Sequence, residues 1–244
     1  MKNEWFLWVD EKRRRNLFRI LEELSVLHRR RVDQFILIGA LSLLIRGILR
    51  YVVQWDMDLL FRNEDALNGF VAAEKSQELR IVHYDEQLMR GESIASLHTA
   101  WSFDRTWFNV DYILKPGMFE FYSSSLAEVG TYDQKVDYEN VSYHFSLPVA
   151  CPWDIFIEKL LSARLRRDLE AGECMSVDIR HVMRLFELEK SNEQFWGFIG
   201  SRTERLGKKG MLKDNLLELL LSRSKLGYTS VEVPDHVYRR LRDL

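Results

Sequence analysis

Two aspartates two residues apart, Asp56 and Asp58, interrupt an otherwise apolar run, and they constrain this chain more than any other feature. Trp55, Met57, Leu59 and Leu60 flank them, a composition that predicts a strand. On a strand, positions i and i+2 point to the same face, so the two carboxylates project side by side. Such a pair repels itself and is costly to bury unless a cation lies between the two acids. Upstream, Phe35, Ile36, Leu37 and Ile38 form a short apolar run that stops at Gly39, as a buried strand does before a turn. From Ala40 the apolar positions fall at Leu41, Leu44, Ile45 and Ile48, which is helical spacing. The chemistry expected of this order is a magnesium site facing a glycine turn, where backbone N–H groups can receive phosphate.

This order resembles the nucleotidyltransferase superfamily, the polymerase-β-like fold. Its signature is a strand ending in Gly-Gly or Gly-Ser, a helix, Asp-x-Asp on the next strand and a third acid on a later one. The matching residues are Gly39-Ala40, Asp56-Met57-Asp58, and Asp111 within Phe108-Asn109-Val110-Asp111-Tyr112-Ile113. Arg46-Gly47 and Arg50, ahead of the aspartates, look like the bacterial branch of AbiEii-like toxins and related minimal nucleotidyltransferases. The resemblance spans residues 33–187, and ahead of Asp56 it departs from the family in two places. Ala40 stands where Gly or Ser is usual, which removes a hydroxyl from the phosphate side. Residues 51–55 are bulkier than the family norm and lack its common Thr or Ser.

The resemblance implies an α+β chain: a nucleotidyltransferase-fold mixed sheet flanked by helices, followed by a C-terminal helical domain. It implies that Asp56, Asp58 and Asp111 are catalytic and hold Mg2+ or Mn2+, and that Gly39, Ala40, Ser42, Arg46 and Arg50 face the phosphates of a nucleoside triphosphate. A second hallmark of the branch, a Lys in the first helix after the sheet, implies a phosphate-binding role for Lys159. The acid that follows it downstream matches Asp178 in Val177-Asp178-Ile179-Arg180, with Val177 where a Lys is usual. An Asp near a helix start is also a common cap or dipole partner. The implied reaction moves a nucleoside monophosphate to an acceptor hydroxyl on tRNA, a protein or a small molecule. The branch further implies the toxin of a toxin–antitoxin pair, with an antitoxin partner. A non-catalytic module that keeps the fold to bind nucleotide or a partner is the other reading, and Ala40 favours it. Retention of three mutually repelling acids favours the enzyme.

The rest of the chain limits the class. No apolar run among the 244 residues reaches the roughly 20 that a membrane helix needs. Residues 1–15 place charge on both sides of a short apolar patch, unlike a signal peptide. Cys151 and Cys174 have no zinc-finger spacing and read as thiols in a reducing cytoplasm. The near balance of 35 Lys and Arg against 37 Asp and Glu neither demands nor excludes a nucleic-acid partner. An amphipathic helix is expected over residues 10–31, bracketed by Arg13 to Arg15 and Arg29 to Arg31; such clusters attract phosphate or simply face solvent. Further helices are expected over 63–79 and 119–129, and strands over 79–83, 93–103, 107–114, 131–136 and 141–147, with 107–114 returning from a turn at Asp104-Arg105-Thr106 as the hairpin partner of 93–103. Pro148, Cys151 and Pro152 mark a join, giving a catalytic domain over 1–150 and a helical one over 151–244. One helix is expected over 153–169, with Gly207-Lys208-Lys209-Gly210 as a loop. The six histidines, His98 among them, are scattered and read as structural.

Overall fold

The computed structural model describes residues 4–30, 35–51, 56–88, 94–129 and 131–243. The bulky residues 52–55 ahead of Asp56, Arg31 of the second arginine cluster, and the expected strand start at Ser93 lie outside the described residues. The chain divides into two compact units, Met1–Cys151 and Pro152–Leu244.

In the first unit a short 3-10 turn, Trp5–Trp8, precedes helix α1, Glu11–Arg29. Asp10 caps α1 by accepting from the Lys12 N–H, and Leu17, Phe18, Leu21, Leu24 and Leu27 form its buried face, as the 3.6-residue period predicts. Then come β1 (Phe35–Ile38), α2 (Gly39–Ile45), β2 (Met57–Phe61), α3 (Glu64–Ala72), β3 (Arg80–Leu88), β4 (Ile94–Ser102), β5 (Phe108–Leu114), α4 (Met118–Val129), β6 (Tyr132–Tyr138) and β7 (Val141–Leu147). Five strands make one mixed sheet in the order β1-β2-β5-β4-β3. β2 and β5 run parallel, and the other neighbours are antiparallel. The unit is thus α+β, a mixed sheet flanked by helices.

One face of this sheet carries the core. β5 alternates strictly, with Phe108, Val110, Tyr112 and Leu114 buried and Asn109, Asp111 and Ile113 only half-buried. Phe61 and Tyr112 meet edge to face at 5.7 Å, and Phe70 of α3 stands 5.4 Å from the same tyrosine. The indole N–H of Trp101 donates to the Tyr112 hydroxyl at 2.9 Å. The opposite face stays partly open and carries the acidic residues.

Polar side chains tie the periphery together. Asn16, fully buried on α1, donates to the carbonyls of Trp101 and Thr106 and accepts from the Phe103 N–H, at 3.2, 3.0 and 2.8 Å. One amide therefore holds α1 against the turn between β4 and β5. Glu22 and Ser25 of α1 accept from the N–H groups of His144 and Ser146, which covers one edge of the β6–β7 hairpin. The arginines around α1 are used in the same way. Arg14 donates to the Val9 and Leu7 carbonyls, Arg30 donates to the Glu74 carbonyl, and Arg19 lies over the Phe103 ring at 4.2 Å.

Two expected boundaries moved in this unit. The helix starting at Asn63, whose side chain accepts from the Ala66 N–H at 2.9 Å, ends at Ala72 rather than near residue 79. Ala73 turns extended, and the Lys75 ammonium caps the helix by donating to the carbonyls of Phe70, Val71 and Ala73. β3 starts at Arg80 and runs on to Leu88 rather than stopping near residue 83, because its pairing with β4 continues to Leu88 opposite Ile94.

The second unit is helical among its described residues: α5 (Pro152–Leu160), α6 (Ala163–Glu170), α7 (Val177–Glu189), α8 (Glu193–Arg205), α9 (Lys209–Ser222) and α10 (Asp235–Asp243). The single helix expected over 153–169 is two, because Ser162 is extended and its hydroxyl caps α6 by accepting from the Leu165 N–H at 3.1 Å. Lys209 and Gly210, expected in a loop, begin α9. Asp154, fully buried on α5, accepts from Arg202 of α8 at 3.0 Å. No helix among the described residues is long and apolar enough to cross a membrane.

Two expected outcomes follow from these buried polar groups. Asn16→Ala strips three backbone groups of their partner at once and should lower stability by about 2–4 kcal/mol in urea denaturation; a loss under about 0.5 kcal/mol would remove the tie from the account. On α7, burial first, and then the Lys159 charge, push the buried His181 imidazole from 6.5 down to about 3. The unfolded chain takes up that proton below pH 6.5 and the folded chain does not until about pH 3, so stability falls as pH drops through this window. The loss should reach about 1–2 kcal/mol by about pH 5, and His181→Gln should flatten the pH profile of denaturation.

Candidate active site on the open face of the sheet

The site begins at the end of β1, where the chain must turn sharply into α2. Gly39 makes that turn with φ +71°, a left-handed conformation that side chains rarely adopt. Its bare Cα also lies against the Asp58 carboxyl group: a Cβ there would stand 3.0 Å from Asp58 Cγ and collide with a carboxylate oxygen. Gly39 and Asp58 are therefore built for each other.

Strand register does the rest. Ile38 pairs with Asp58, Asp58 with Asp111, Asp111 with His98, and His98 with Asp85, a single row crossing all five strands. Residues paired in register project from the same face, so Asp58, Asp111 and His98 line up on the open side. Asp56 lies just before β2, exposed, and its Oδ1 accepts from Asn109 Nδ2 at 3.2 Å. Asn109 is two residues before Asp111 on β5, so Asp56 reaches the same face one step along.

Asp111 is largely enclosed, its side chain 18 % exposed. His98 Nδ1 lies 3.1 Å from Asp111 Oδ1, an ion-pair distance, but the two are not aligned as a hydrogen bond, and this buried oxygen has no straight donor. Burial raises the Asp111 carboxyl above its ordinary value; His98 opposes the rise, and the Asp56 charge adds to it. The Tyr84 phenol is raised as well, by burial and then by Asp111, Asp56 and Asp85. The open face is thus a converging negative field. Among the described residues, no group of three His, Cys, Asp or Glu side chains is placed to hold a metal ion as they stand.

The other expected phosphate-side residues are spread more widely. Ala40 is half-buried in the first turn of α2. Ser42 is fully buried and donates to the Gly39 carbonyl at 2.6 Å. Arg46 donates to the Val149 carbonyl at 2.9 Å and lies 4.8 Å over the Tyr132 ring, with its pKa lowered by burial. Arg50 is exposed, its Nε 3.4 Å from the Gly47 carbonyl. Lys159 belongs to the second unit, where it is largely buried and donates to Asp178 at 2.5 Å, with Arg164 3.8 Å from the same carboxylate. Of the expected residues, then, Gly39 lies against Asp58, Asp58 pairs in register with Asp111, and Asp56 reaches the same face through Asn109. Ser42 is bonded to the Gly39 carbonyl itself, while Arg46 and Lys159 are committed to partners elsewhere.

Sequence reasoning missed His98, Asn109 and Tyr84. The turn at Asp104-Arg105-Thr106 and the antiparallel hairpin it makes were legible in the sequence, but the register of that hairpin was not. Trp101 opposite Phe108 sets His98 across from Asp111, and a slip of one residue would have turned the imidazole to the other face.

No family model matches the chain, and no curated protein matches it. The structure is similar to the crystal structure of an antigenic nucleotidyltransferase-like protein from Paracoccidioides brasiliensis, with 12 % identity and a TM-score of 0.36, over 82 % of this chain and 93 % of that one. At that score the likeness carries no argument about chemistry.

The contact between Gly39 and Asp58 is open to a direct test. Gly39→Ala should cost about 1–3 kcal/mol of stability from backbone strain and the displaced carboxylate. Adding Asp58→Ala removes the obstacle, so the double variant should be less destabilised than the two single losses summed, by about 1 kcal/mol in a denaturation cycle. Strict additivity would separate the two residues.

Proposed function

We propose that this chain is a metal-dependent nucleotidyltransferase that moves a nucleoside monophosphate from a nucleoside triphosphate to an acceptor hydroxyl. One observation carries the reading. Asp58 and Asp111 are register partners on neighbouring parallel strands, and the bare Cα of Gly39 lies against the Asp58 carboxylate. Carboxylate oxygens are hard donors suited to Mg2+ or Mn2+. The buried Asp111 Oδ1, which lacks a straight donor, is the kind of atom a cation satisfies. Asp56, Asp58 and Asp111 would hold the ion, Asp56 in exchange for its present contact with Asn109. When bound, the ion neutralises triphosphate charge and activates the acceptor hydroxyl.

The chain's own residues have separate tasks in this reading. Gly39, without a side chain, lets the triphosphate approach the backbone; Ala40 follows it, and exposed Arg50 supplies positive charge. Asp111, its basicity raised by burial, accepts the acceptor's proton at a carboxylate oxygen. The acceptor oxygen bonds to the α-phosphorus as the bond to the β-phosphate oxygen breaks, and pyrophosphate leaves. From the likeness of Arg46-Gly47 and Arg50 to the AbiEii-like branch, we extend the proposal to a cytoplasmic bacterial toxin acting on tRNA, a protein or a small molecule, with an antitoxin as partner.

A second reading has its own support. No three ligands converge among the described residues, and Ala40 offers no hydroxyl, which suits a module that binds nucleotide or a partner without transferring anything. Incubation with each labelled nucleoside triphosphate, Mg2+ or Mn2+ and total RNA or lysate separates the two. Transfer of label to an acceptor is expected, while binding without transfer supports the module. By calorimetry, Asp56→Asn combined with Asp58→Asn should reduce metal-dependent nucleotide affinity at least about tenfold. Unchanged affinity would take both residues out of the site.

A further inference from the structure

We infer that the outer edge of β3 is an interface between two copies of this chain, paired strand to strand and antiparallel. The inference stands apart from the nucleotidyltransferase reading and from any bound ion. β3 is the last strand in the order β1-β2-β5-β4-β3, so β4 pairs with one of its edges and no described strand pairs with the other. Backbone N–H and C=O groups along such an edge are a ready template for another strand. Folded chains commonly block that template with a short strand, a proline, a lysine or a covering element. β3 runs for nine residues, Arg80–Leu88, and contains neither proline nor lysine. Every residue from Arg80 to Gln87 is exposed, so neither face of the strand is covered. Ile81, Val82 and Tyr84 are 39, 47 and 54 % exposed, which gathers three large apolar side chains on this one edge. The blunting device present is irregularity. The register with β4 shifts between His83 and Asp85 and again between Gln87 and Leu88, while residues 80–83 keep a regular ladder.

Charge selects the occupant. The first half of the strand carries Arg80 and the imidazole of His83, and the second half carries Asp85 and Glu86. Arg80 donates to the Ser102 hydroxyl and the Asp104 carbonyl, neither of which neutralises it. A parallel copy would set like charge beside like, which is destabilising. An antiparallel copy lays the basic half of each strand along the acidic half of the other, at both ends of the pair, as a two-fold axis requires. Val82 and Tyr84 fall at the centre. Val82 pairs with Ala100, two residues from His98, and the Tyr84 ring stands 6.1 Å from the His98 ring, so both side chains rise from the open face. The axis stands perpendicular to the sheet, which joins two five-stranded sheets into one with both open faces on the same side.

Sedimentation equilibrium of the full chain tests this, with amide hydrogen exchange to locate the contact. The expected result is a reversible dimer with a Kd of about 1–100 µM, and slower exchange in β3 as concentration rises. Val82→Lys should raise that Kd at least about tenfold, because a lysine at the centre of the edge blocks pairing. Arg80→Glu and Glu86→Arg should each weaken self-association at least about threefold, since each sets like charges together twice per dimer. Mixed in equal amounts, those two variants should associate again, which also shows that both remain folded. A chain that stays monomeric to about 1 mM overturns the inference and leaves the edge to a foreign strand. A dimer indifferent to Val82→Lys, or without added protection in β3, places the contact elsewhere and overturns it as well. Disruption by Val82→Lys beside charge variants that associate like the wild type overturns the antiparallel pairing.

Discussion

The parallel pairing of β2 with β5 is the interaction on which the rest of the first unit depends. Parallel neighbours cannot be joined by a tight turn, so α3, β3 and β4 all lie in the connection between them. Register then decides everything about the acids. Met57 against Val110 and Leu59 against Tyr112 face the core, which leaves Asp58 against Asp111 on the open side. A slip of one residue would drive a carboxylate into the aromatic cluster of Phe61, Phe70, Trp101 and Tyr112, where no charge is tolerated without a partner. The apolar core therefore places the acidic row, although it never touches it.

That row is electrostatically uphill. Burial and the neighbouring Asp56 disfavour the charged form of Asp111, and His98 is the group set against them. Gly39 shows the same economy of space from the other side, because the carboxylate of Asp58 fills the volume a side chain would take. The strands that carry Asp58, Asp111 and His98, namely β2, β5 and β4, are each paired along both edges, which holds the row in place.

The second unit uses charge differently. Asp154 with Arg202, and Lys159 with Asp178, are enclosed pairs linking different helices. Such pairs contribute little net stability compared with apolar replacements, but removing one partner is expensive, typically about 3–5 kcal/mol. They therefore select one packing of α5 against α8 and α7. This explains why a lysine conspicuous in the sequence for its resemblance to a phosphate ligand is occupied by a carboxylate of its own unit.

The sequence by itself determined the features written in local periodicity and chemistry. Apolar runs ending at Gly39, helical spacing after it, the alternation through Phe108–Leu114 and the Asp-x-Asp pair specify an α+β order with an acidic strand, because each signal lies within a few neighbouring residues. The tertiary structure decided whatever depends on partners distant in the chain. Helix α3 stops early because Lys75 folds back on its carbonyls, and residues 153–169 break because Ser162 caps a new helix. Ser42 and Arg46 turn inward because carbonyls of Gly39 and Val149 await them. His98 joins Asp111 because two strands pair in one register rather than the next, and a period of two carries no information about which partner a residue will face.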